Sequence, residues 1–304
     1  SYEGPEGYKV TKEEVEGFFK QLMCACKEKR KCKNLLSGVV SLLEHALFIS
    51  REFLAHELKE KVKELASNDE ILYVVPLGSL RDSAKHMSYF WNDIQIPGLK
   101  IETEKTLEEI LALEEVTKIV FFDDGSYSGT QMISIMQEYM GVEERKTKEK
   151  HVDKLTEDGK KALQRKQIQF FFVAYNRSKE AEMLEELKKI GLDNVGISCI
   201  KDMSMKKLEK NVGNLFENEE QRILVKSVLA DIGRSVMQSA KMEEGVYRKG
   251  WDKERVNNAA LGYNDAQQMV FLKSSVPTYT ITAFWQPGEY NGFGWKPLFR
   301  RTQK

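Results

Sequence analysis

The sequence predicts an α/β protein with a doubly wound, mostly parallel β-sheet, because apolar strand-like runs alternate with amphipathic segments between Ile71 and Ile200. A helical extension precedes this region, and an irregular, aromatic C-terminal region follows it and is expected to pack over the sheet. Such alternation is typical of parallel strands joined by right-handed crossovers. In these sheets ligands bind at the carboxyl ends of the strands.

The extension is predicted to span residues 1–67. Thr11-Lys-Glu-Glu14 is a capping box that begins a helix with apolar residues on one face. A second helical stretch covers Leu35–Leu65, with Gly38 and Ser50 as candidate breaks.

Residues 68–304 are predicted to form the second domain. Segment 141–166 is highly charged and lacks aromatic residues, which predicts an exposed, partly helical insertion. Short apolar runs bounded by turn residues predict strands, and runs of helical periodicity predict helices. The strands are Ile71–Pro76, Lys118–Phe122, Gln167–Ala174, Asn194–Ile200 and Tyr279–Trp285, and the helices include Leu80–Trp91, Ser178–Ile190 and Glu219–Met237.

Bulk composition excludes several classes of protein. The 304 residues contain 47 Lys and Arg and 47 Asp and Glu, so no net charge favours nucleic acid or an anionic membrane surface. No apolar run approaches the ~20 residues that span a bilayer, and Ser1–Tyr8 lacks the apolar core of a signal peptide. We therefore expect a cytoplasmic globular protein.

Three of the four cysteines, Cys24, Cys26 and Cys32, cluster in the N-terminal extension, and Cys199 lies in a predicted strand. This distribution does not suggest a disulfide framework. The spacing of the cluster fits no usual zinc pair, and no histidine follows nearby. Reduced thiols are expected, with Cys26 facing a core, and the role of the cluster is left open.

The most informative segment is Ile119–Gln131, in which an apolar strand leads to two carboxylates and then to a loop of small residues. Helical spacing in Met132–Tyr139 places the loop at a helix N-terminus, where backbone amides bind anions. Carboxylates at the strand end can accept hydrogen bonds from sugar hydroxyls or help hold a divalent cation. The segment therefore indicates a sugar phosphate site, although Asp, Gly and Ser are also ordinary turn residues.

In this segment a strand is followed by two Asp residues, three further residues and then Ser128-Gly-Thr130. This order resembles the phosphoribosyl pyrophosphate motif of type I phosphoribosyltransferases. Val74-Val-Pro-Leu-Gly-Ser-Leu-Arg81 resembles their pyrophosphate loop, and Phe170–Ile200 resembles their subsequent strand, helix and strand. The C-terminal region resembles the closing signature of a phosphoribosyltransferase-like family of prokaryotic conflict and antiphage defence systems. The segments concerned are Leu261–Gln267, Pro277, Ala283–Trp285 and Trp295–Arg301. The stretch at Pro277 departs from the family pattern and reads Pro277-Thr-Tyr-Thr-Ile-Thr.

The resemblance implies a role for each matching residue. Asp123 and Asp124 would contact the ribose hydroxyls and, indirectly, Mg²⁺, and together with Arg81 they would be catalytic. The ribose 5-phosphate site would consist of Asp123, Asp124, Gly125, Ser126, Tyr127, Ser128, Gly129 and Thr130, and the pyrophosphate site of Gly78, Ser79, Leu80 and Arg81. Magnesium would be coordinated mainly by oxygens of the ligand and by few protein groups, because it loses its bound water reluctantly.

Two functions are carried forward. The first is an enzyme, a phosphoribosyltransferase-like glycosyltransferase that binds phosphoribosyl pyrophosphate or a related ribose phosphate and transfers or hydrolyses the phosphoribosyl group as an antiphage defence effector. The alternative is an inactive module that senses a nucleotide or phosphoribosyl compound and regulates a partner protein. A scaffold role, the acceptor and a homo-oligomer are left open. Leu77, Lys85, Trp91 and Asp93 are candidate acceptor contacts or ordinary packing and surface residues.

Overall fold

The computed structural model describes residues 8–66, 71–78, 91, 94–142, 152–243, 246–248, 250–272 and 276–299. In chain order the elements are α1 Lys12–Ala25, α2 Cys32–Glu44, β1 Leu47–Ile49, α3 Arg51–Ala66, β2 Ile71–Pro76, β3 Lys100–Glu102, α4 Leu107–Leu111, β4 Lys118–Ser126, α5 Thr130–Met140, α6 Glu157–Arg165, β5 Gln167–Tyr175, α7 Glu180–Lys189, β6 Val195–Asp202, α8 Glu219–Lys241, β7 Met242–Glu243, β8 Val246–Tyr247, α9 Lys253–Ala259, β9 Val270–Leu272, β10 Gly288–Tyr290 and β11 Phe293–Trp295.

Contacts divide the chain into two compact units. The sheet unit is Glu52–Ser204, and the helical unit combines Ser1–Arg51 with Met205–Lys304. The contacts thus group the first helices with the C-terminal third of the chain, whereas the sequence suggested a division between residues 67 and 68. The domain boundary stays a prediction.

The sheet unit contains five strands in the order β3-β2-β4-β5-β6, and every neighbouring pair is parallel. This confirms the predicted α/β fold class. From β2 the chain passes to β3 on one side, whereas from β4 it passes through α5 to β5 on the other side. The carboxyl ends of β2 and β4 therefore form the topological switch point, the usual location of a ligand site in such sheets.

Both faces of the sheet are apolar near its centre. Ile119 and Phe121 of β4 belong to a buried cluster that includes residues of α4, α5, α6 and α7. On the other face, the ring of Trp91 packs edge-on against Phe122, with centroids 5.0 Å apart, and against Phe171 at 5.8 Å. Because side chains alternate along a strand, β4 is buried on both sides, as a central parallel strand should be.

The helical unit is built around α8, whose buried positions include Val225, Leu229, Ile232 and Val236 at helical spacing. Its core joins α1 and α2 to the C-terminal region. Trp295 donates its indole N–H to the carbonyl of Ala283 at 2.9 Å, and Trp285 donates to Thr280 at 2.9 Å. The unit also contains the parallel pair β1 and β9.

Several element boundaries differ from the prediction. The helical stretch Leu35–Leu65 is interrupted by β1, while Gly38 lies inside an unbroken α2. The predicted strand Tyr279–Trp285 is wrong: Thr280 makes only an isolated bridge with Gln268, and Thr282–Phe284 is a 3₁₀ helix.

The charged insertion 141–166 does contain a helix, α6, but this helix is not wholly exposed. Ala162 and Leu163 are buried in the sheet unit. The predicted helix Leu80–Trp91 lies outside the described residues except for Trp91. Within the described ranges, no helix is long and apolar enough to cross a membrane.

Candidate functional site

The candidate site begins inside β4 rather than after it. The strand stays paired with β5 as far as Ser126, which lies opposite Tyr175. Asp123 lies opposite Phe172, and Gly125 lies opposite Ala174. The sequence predicted that the strand ends at Phe122, so four residues assigned to the loop are in fact strand residues. The loop proper is only Tyr127–Gly129.

The two carboxylates have different surroundings. Asp123 is 4% exposed, whereas Asp124 is half-buried. Because successive strand side chains leave opposite faces, Asp123 follows Phe121 and Asp124 follows Phe122. Asp123 Oδ1 accepts a hydrogen bond from the Asp124 amide at 2.8 Å. This bond fixes the orientation of the buried carboxylate, and Asp124 is the more accessible of the two.

The turn after β4 brings hydroxyl groups to the start of α5. Ser128 Oγ and Thr130 Oγ1 lie 3.0 Å apart, and the Thr130 amide donates to Ser128 Oγ at 3.5 Å. Gly129 is the N-cap residue, with a φ of 73°, and it provides no side-chain acceptor for the first-turn amides. Hydroxyls and first-turn amides at a helix N-terminus favour an anion.

Gly129 is also constrained by packing. A Cβ on this residue would lie 2.2 Å from Met183 Sδ, and Met183 is buried in the core of the sheet unit. Positive φ and close approach both favour glycine here. The position of the turn is therefore set by contact between β4, α5 and α7.

The predicted pyrophosphate loop begins at the carboxyl end of β2. Leu77 is buried, and its amide donates to the carbonyl of Phe122 at 2.8 Å. Gly78 has a φ of 115°. Gly78 therefore follows the strand next to β4, as the two-loop interpretation requires. Ser79, Leu80 and Arg81 lie outside the described residues, as do Lys85 and Asp93.

Trp91, a candidate acceptor contact by sequence, is a packing residue. It is 1% exposed and packs on Phe122 and Phe171, so its ring belongs to the core. Leu77, at 1% exposure, is likewise a core residue.

Sequence reasoning missed polar residues at the ends of β5 and β6. The amide of Asn176 donates to the carbonyl of Ser126 at 3.0 Å, which joins the end of β5 to the candidate loop. Asp202 Oδ1 accepts from the amides of Ser204 at 2.9 Å and Arg177 at 3.4 Å. The sequence could have indicated these residues, because Asn176-Arg-Ser178 and Asp202-Met-Ser204 each follow a predicted strand, and parallel strands end at the same edge of a sheet.

Electrostatics links this cluster to a buried thiol. A hydrogen bond with the Cys199 thiol raises the pKa of Arg177 above its ordinary value. Burial raises the pKa of Cys199, and the nearby guanidinium only partly opposes this effect. Burial also raises the pKa of Asp202, but hydrogen bonds from Ser204 and Arg177 outweigh it, so this pKa lies below its ordinary value. A cation and an ionised carboxylate thus stand at the same edge as the candidate loop.

A metal site made by the protein alone is not apparent. Among residues 8–66, 71–78 and the other described ranges, no three His, Cys, Asp or Glu side chains are grouped to hold an ion. A magnesium ion carried by ligand phosphates needs few protein ligands. The half-buried Asp124 fits that limited role better than Asp123 does.

The parallel sheet, its switch point and the acid-containing strand that leads to a small-residue turn define a phosphoribosyltransferase-like α/β protein. Residues 11–301 match the model of the family PRTase-CE, which is phosphoribosyltransferase-like. The chain therefore belongs to this family, and the resemblance read from the sequence is confirmed. No curated protein matches the chain significantly, and no solved structure does either.

Proposed function

We propose that the carboxyl edge of the sheet unit binds phosphoribosyl pyrophosphate together with Mg²⁺ and transfers or hydrolyses the phosphoribosyl group. The observation that supports this most strongly is the coincidence of Asp123–Thr130 with the topological switch point between β2 and β4. A ribose phosphate requires groups that accept hydrogen bonds from its hydroxyls, next to a site that binds its phosphate. The candidate loop supplies both within eight residues of chain.

Each group has a distinct task in this proposal. The half-buried Asp124 accepts hydrogen bonds from the ribose hydroxyls, while Asp123 holds the strand end in place through the Asp124 amide. Ser128, Thr130 and the first-turn amides of α5 bind the 5-phosphate. Fixing the phosphate and the hydroxyls at two points orients C1 of the ribose toward the attacking group.

The reaction breaks the bond between C1 and the pyrophosphate oxygen and forms a bond from C1 to an acceptor. With water as acceptor the products are ribose 5-phosphate and pyrophosphate, and the proton of water is released. Magnesium, held by the ligand phosphates and Asp124, would neutralise charge on the leaving group. Positive charge that develops on the sugar is favoured by the nearby carboxylates.

The family match covers both units, so the helical unit belongs to the same functional protein. A role as an antiphage defence effector, in the cytoplasm and with a protein partner, completes the proposal and rests on the resemblance of the C-terminal signature. The competing proposal is a sensor without turnover. It uses the same pocket and differs only in the fate of the ligand.

The experiment is a thermal-shift panel with phosphoribosyl pyrophosphate, ribose 5-phosphate and nucleotides, each with and without Mg²⁺, followed by a pyrophosphate-release assay. A ligand at 100 times its dissociation constant stabilises the native state by about 2.7 kcal/mol. We expect a magnesium-dependent shift with phosphoribosyl pyrophosphate and release of pyrophosphate. Binding without release would favour the sensor, and no binding by any phosphoribosyl compound would refute both.

Asp124→Asn tests the assigned role directly. It replaces a charged acceptor by a neutral one, which lowers the contribution of a hydrogen bond by about 1–1.5 kcal/mol, and so should weaken binding by about tenfold. The matched control is Glu185→Gln on the exposed surface of α7, which should bind normally. Normal binding by a folded Asp124→Asn variant would contradict the assignment.

A further inference from the structure

An apolar groove lies on the surface of the helical unit between α1 and α2. Phe19 and Met23 line it from α1, and Cys32, Leu36 and Val40 line it from α2. Met23 is 51% exposed and Val40 is 40% exposed, and contiguous exposed apolar side chains are typical of an interaction surface. The six-residue connection Cys26–Lys31 makes the two helices antiparallel neighbours.

The same face changes charge from one end to the other. Along α2 the positions Lys33, Leu36, Val40 and Glu44 share one stripe, because they are three or four residues apart. Lys33 lies at the connection and Glu44 at the opposite end. Glu16 of α1 lies on the stripe of Phe19 and Met23 and therefore stands at the acidic end as well.

The charges on α2 are placed against the preference of the helix itself. Its first turn contains no acidic residue and its last turn no basic one, while Lys33 and Glu44 occupy those ends. A cation at a helix N-terminus and an anion at a C-terminus each cost roughly 0.3–1 kcal/mol. Neither side chain forms an ion pair with another described residue of the chain. The stability of α2 therefore does not account for the placement of these two charges.

We propose that this face binds a second copy of the chain about a two-fold axis, with the paired α1 and α2 hairpins antiparallel across the interface. A two-fold interface brings the same patch of both copies together. The apolar centre then covers itself, and Lys33 of each copy faces Glu44 of the other. Dimerisation would thereby bury the exposed apolar side chains and pair the charges at both ends of the face.

The size of the face sets the expected affinity. Two helices of 14 and 13 residues offer a surface of roughly 20 by 20 Å. The corresponding ~400 Å² per copy is about half of the ~800 Å² that each partner of a standard interface buries, so the contact belongs to the weak, transient class. The dimer is therefore weak and reversible, and protein concentration controls its population.

The decisive experiment is a charge swap measured by sedimentation velocity on the full chain, from submicromolar to several hundred micromolar protein. Wild-type protein should pass from monomer to dimer over this range. Lys33→Glu and Glu44→Lys should each weaken the dimer by about tenfold or more, because each places like charges at two symmetry-related contacts. The double variant Lys33→Glu/Glu44→Lys should recover wild-type affinity.

Mixing the two single variants is a second test with no change in composition of the interface. Each variant alone repels itself, but the mixed pair has opposite charges at both contacts, so heterodimers should form with wild-type affinity. Lys59→Glu on exposed α3 is the matched charge-reversal control and should dimerise normally.

Each single substitution also places a charge that the dipole of α2 favours, so loss of dimer cannot be assigned to loss of folding. A chain that stays monomeric at every concentration overturns the proposal, and so would a face that serves only a different protein. A dimer unaffected by either single variant, or not restored by the double variant and the mixture, also overturns it.

Discussion

Gly129→Ala probes the turn at the candidate site, because two separate effects oppose a side chain there. The φ of 73° costs an alanine about 1–2 kcal/mol. The new Cβ would also lie 2.2 Å from Met183 Sδ and 2.4 Å from its Cγ, and overpacking of a buried site costs about 1–3 kcal/mol. We expect a total loss of about 2–5 kcal/mol in the free energy of unfolding.

Two comparisons separate these effects. Gly98 has a φ of 81° in the same unit, but its added Cβ would meet no atom within 4 Å, so Gly98→Ala should show the backbone cost alone. In a Met183→Ala background the obstructing side chain is gone. There Gly129→Ala should cost no more than Gly98→Ala does.

The assay is urea unfolding of the four single and double variants, with the unfolding free energies combined in a double-mutant cycle. The double variant should lose about 1–3 kcal/mol less stability than the sum of the losses in Gly129→Ala and Met183→Ala. The reasoning is refuted if Gly129→Ala and Gly98→Ala cost the same in the wild-type background. Since the displaced turn contains Ser128 and Thr130, a folded Gly129→Ala variant should also bind phosphoribosyl pyrophosphate more weakly.

Three further predictions concern other parts of the chain. Gly233→Ala should destabilise the protein by at least about 2 kcal/mol in urea despite the higher helix propensity of alanine, because the Cβ would lie 1.9 Å from the Ala260 carbonyl oxygen. Burial raises the pKa of Tyr139 to about 12, so the stability that this phenol contributes is complete below pH ~10 and is lost as pH rises through about 12. Tyr139→Phe should remove part of this alkaline loss in pH-dependent unfolding, and an unchanged profile would contradict it. In iodoacetamide labelling read by mass spectrometry, exposed Cys24 should react first, while Cys26, whose pKa burial raises to about 11, should resist until unfolding.

The central strands could be predicted because their signals are local. Ile71–Pro76 is the observed β2, and Gln167–Ala174 differs from β5 by one residue. Each is a buried apolar run next to turn residues, which fixes its type and ends without tertiary information. The prediction failed for Tyr279–Trp285, which has similar composition, because Thr282–Phe284 forms a 3₁₀ helix and Trp285 donates its indole N–H back to the carbonyl of Thr280. An extended segment would hold these two residues too far apart for that bond.

The polar end of β4 could not be predicted from local pattern. Asp123, Gly125 and Ser126 are turn formers, and only pairing with β5 holds them in extended conformation. Tertiary pairing thus overrides local preference at the candidate site residues. The pairing of β1 with β9 is a different case, because their residues favour strands but 223 positions separate Leu47 from Val270.

The order of the strands places the candidate loop at the topological switch point of the sheet. The sequence placed Gly78 and Asp123 after two successive strong strands, but it could not show that β3 joins the sheet on the far side of β2. That arrangement sends the connections from β2 and β4 in opposite directions and opens a crevice between them. A loop with the same residues at the end of β6 would lie at an edge strand, with one neighbour instead of two. The proposal of a ribose phosphate site at Asp123-Asp124 therefore rests on the position of β4 in the sheet, because the residue types alone are compatible with an ordinary turn.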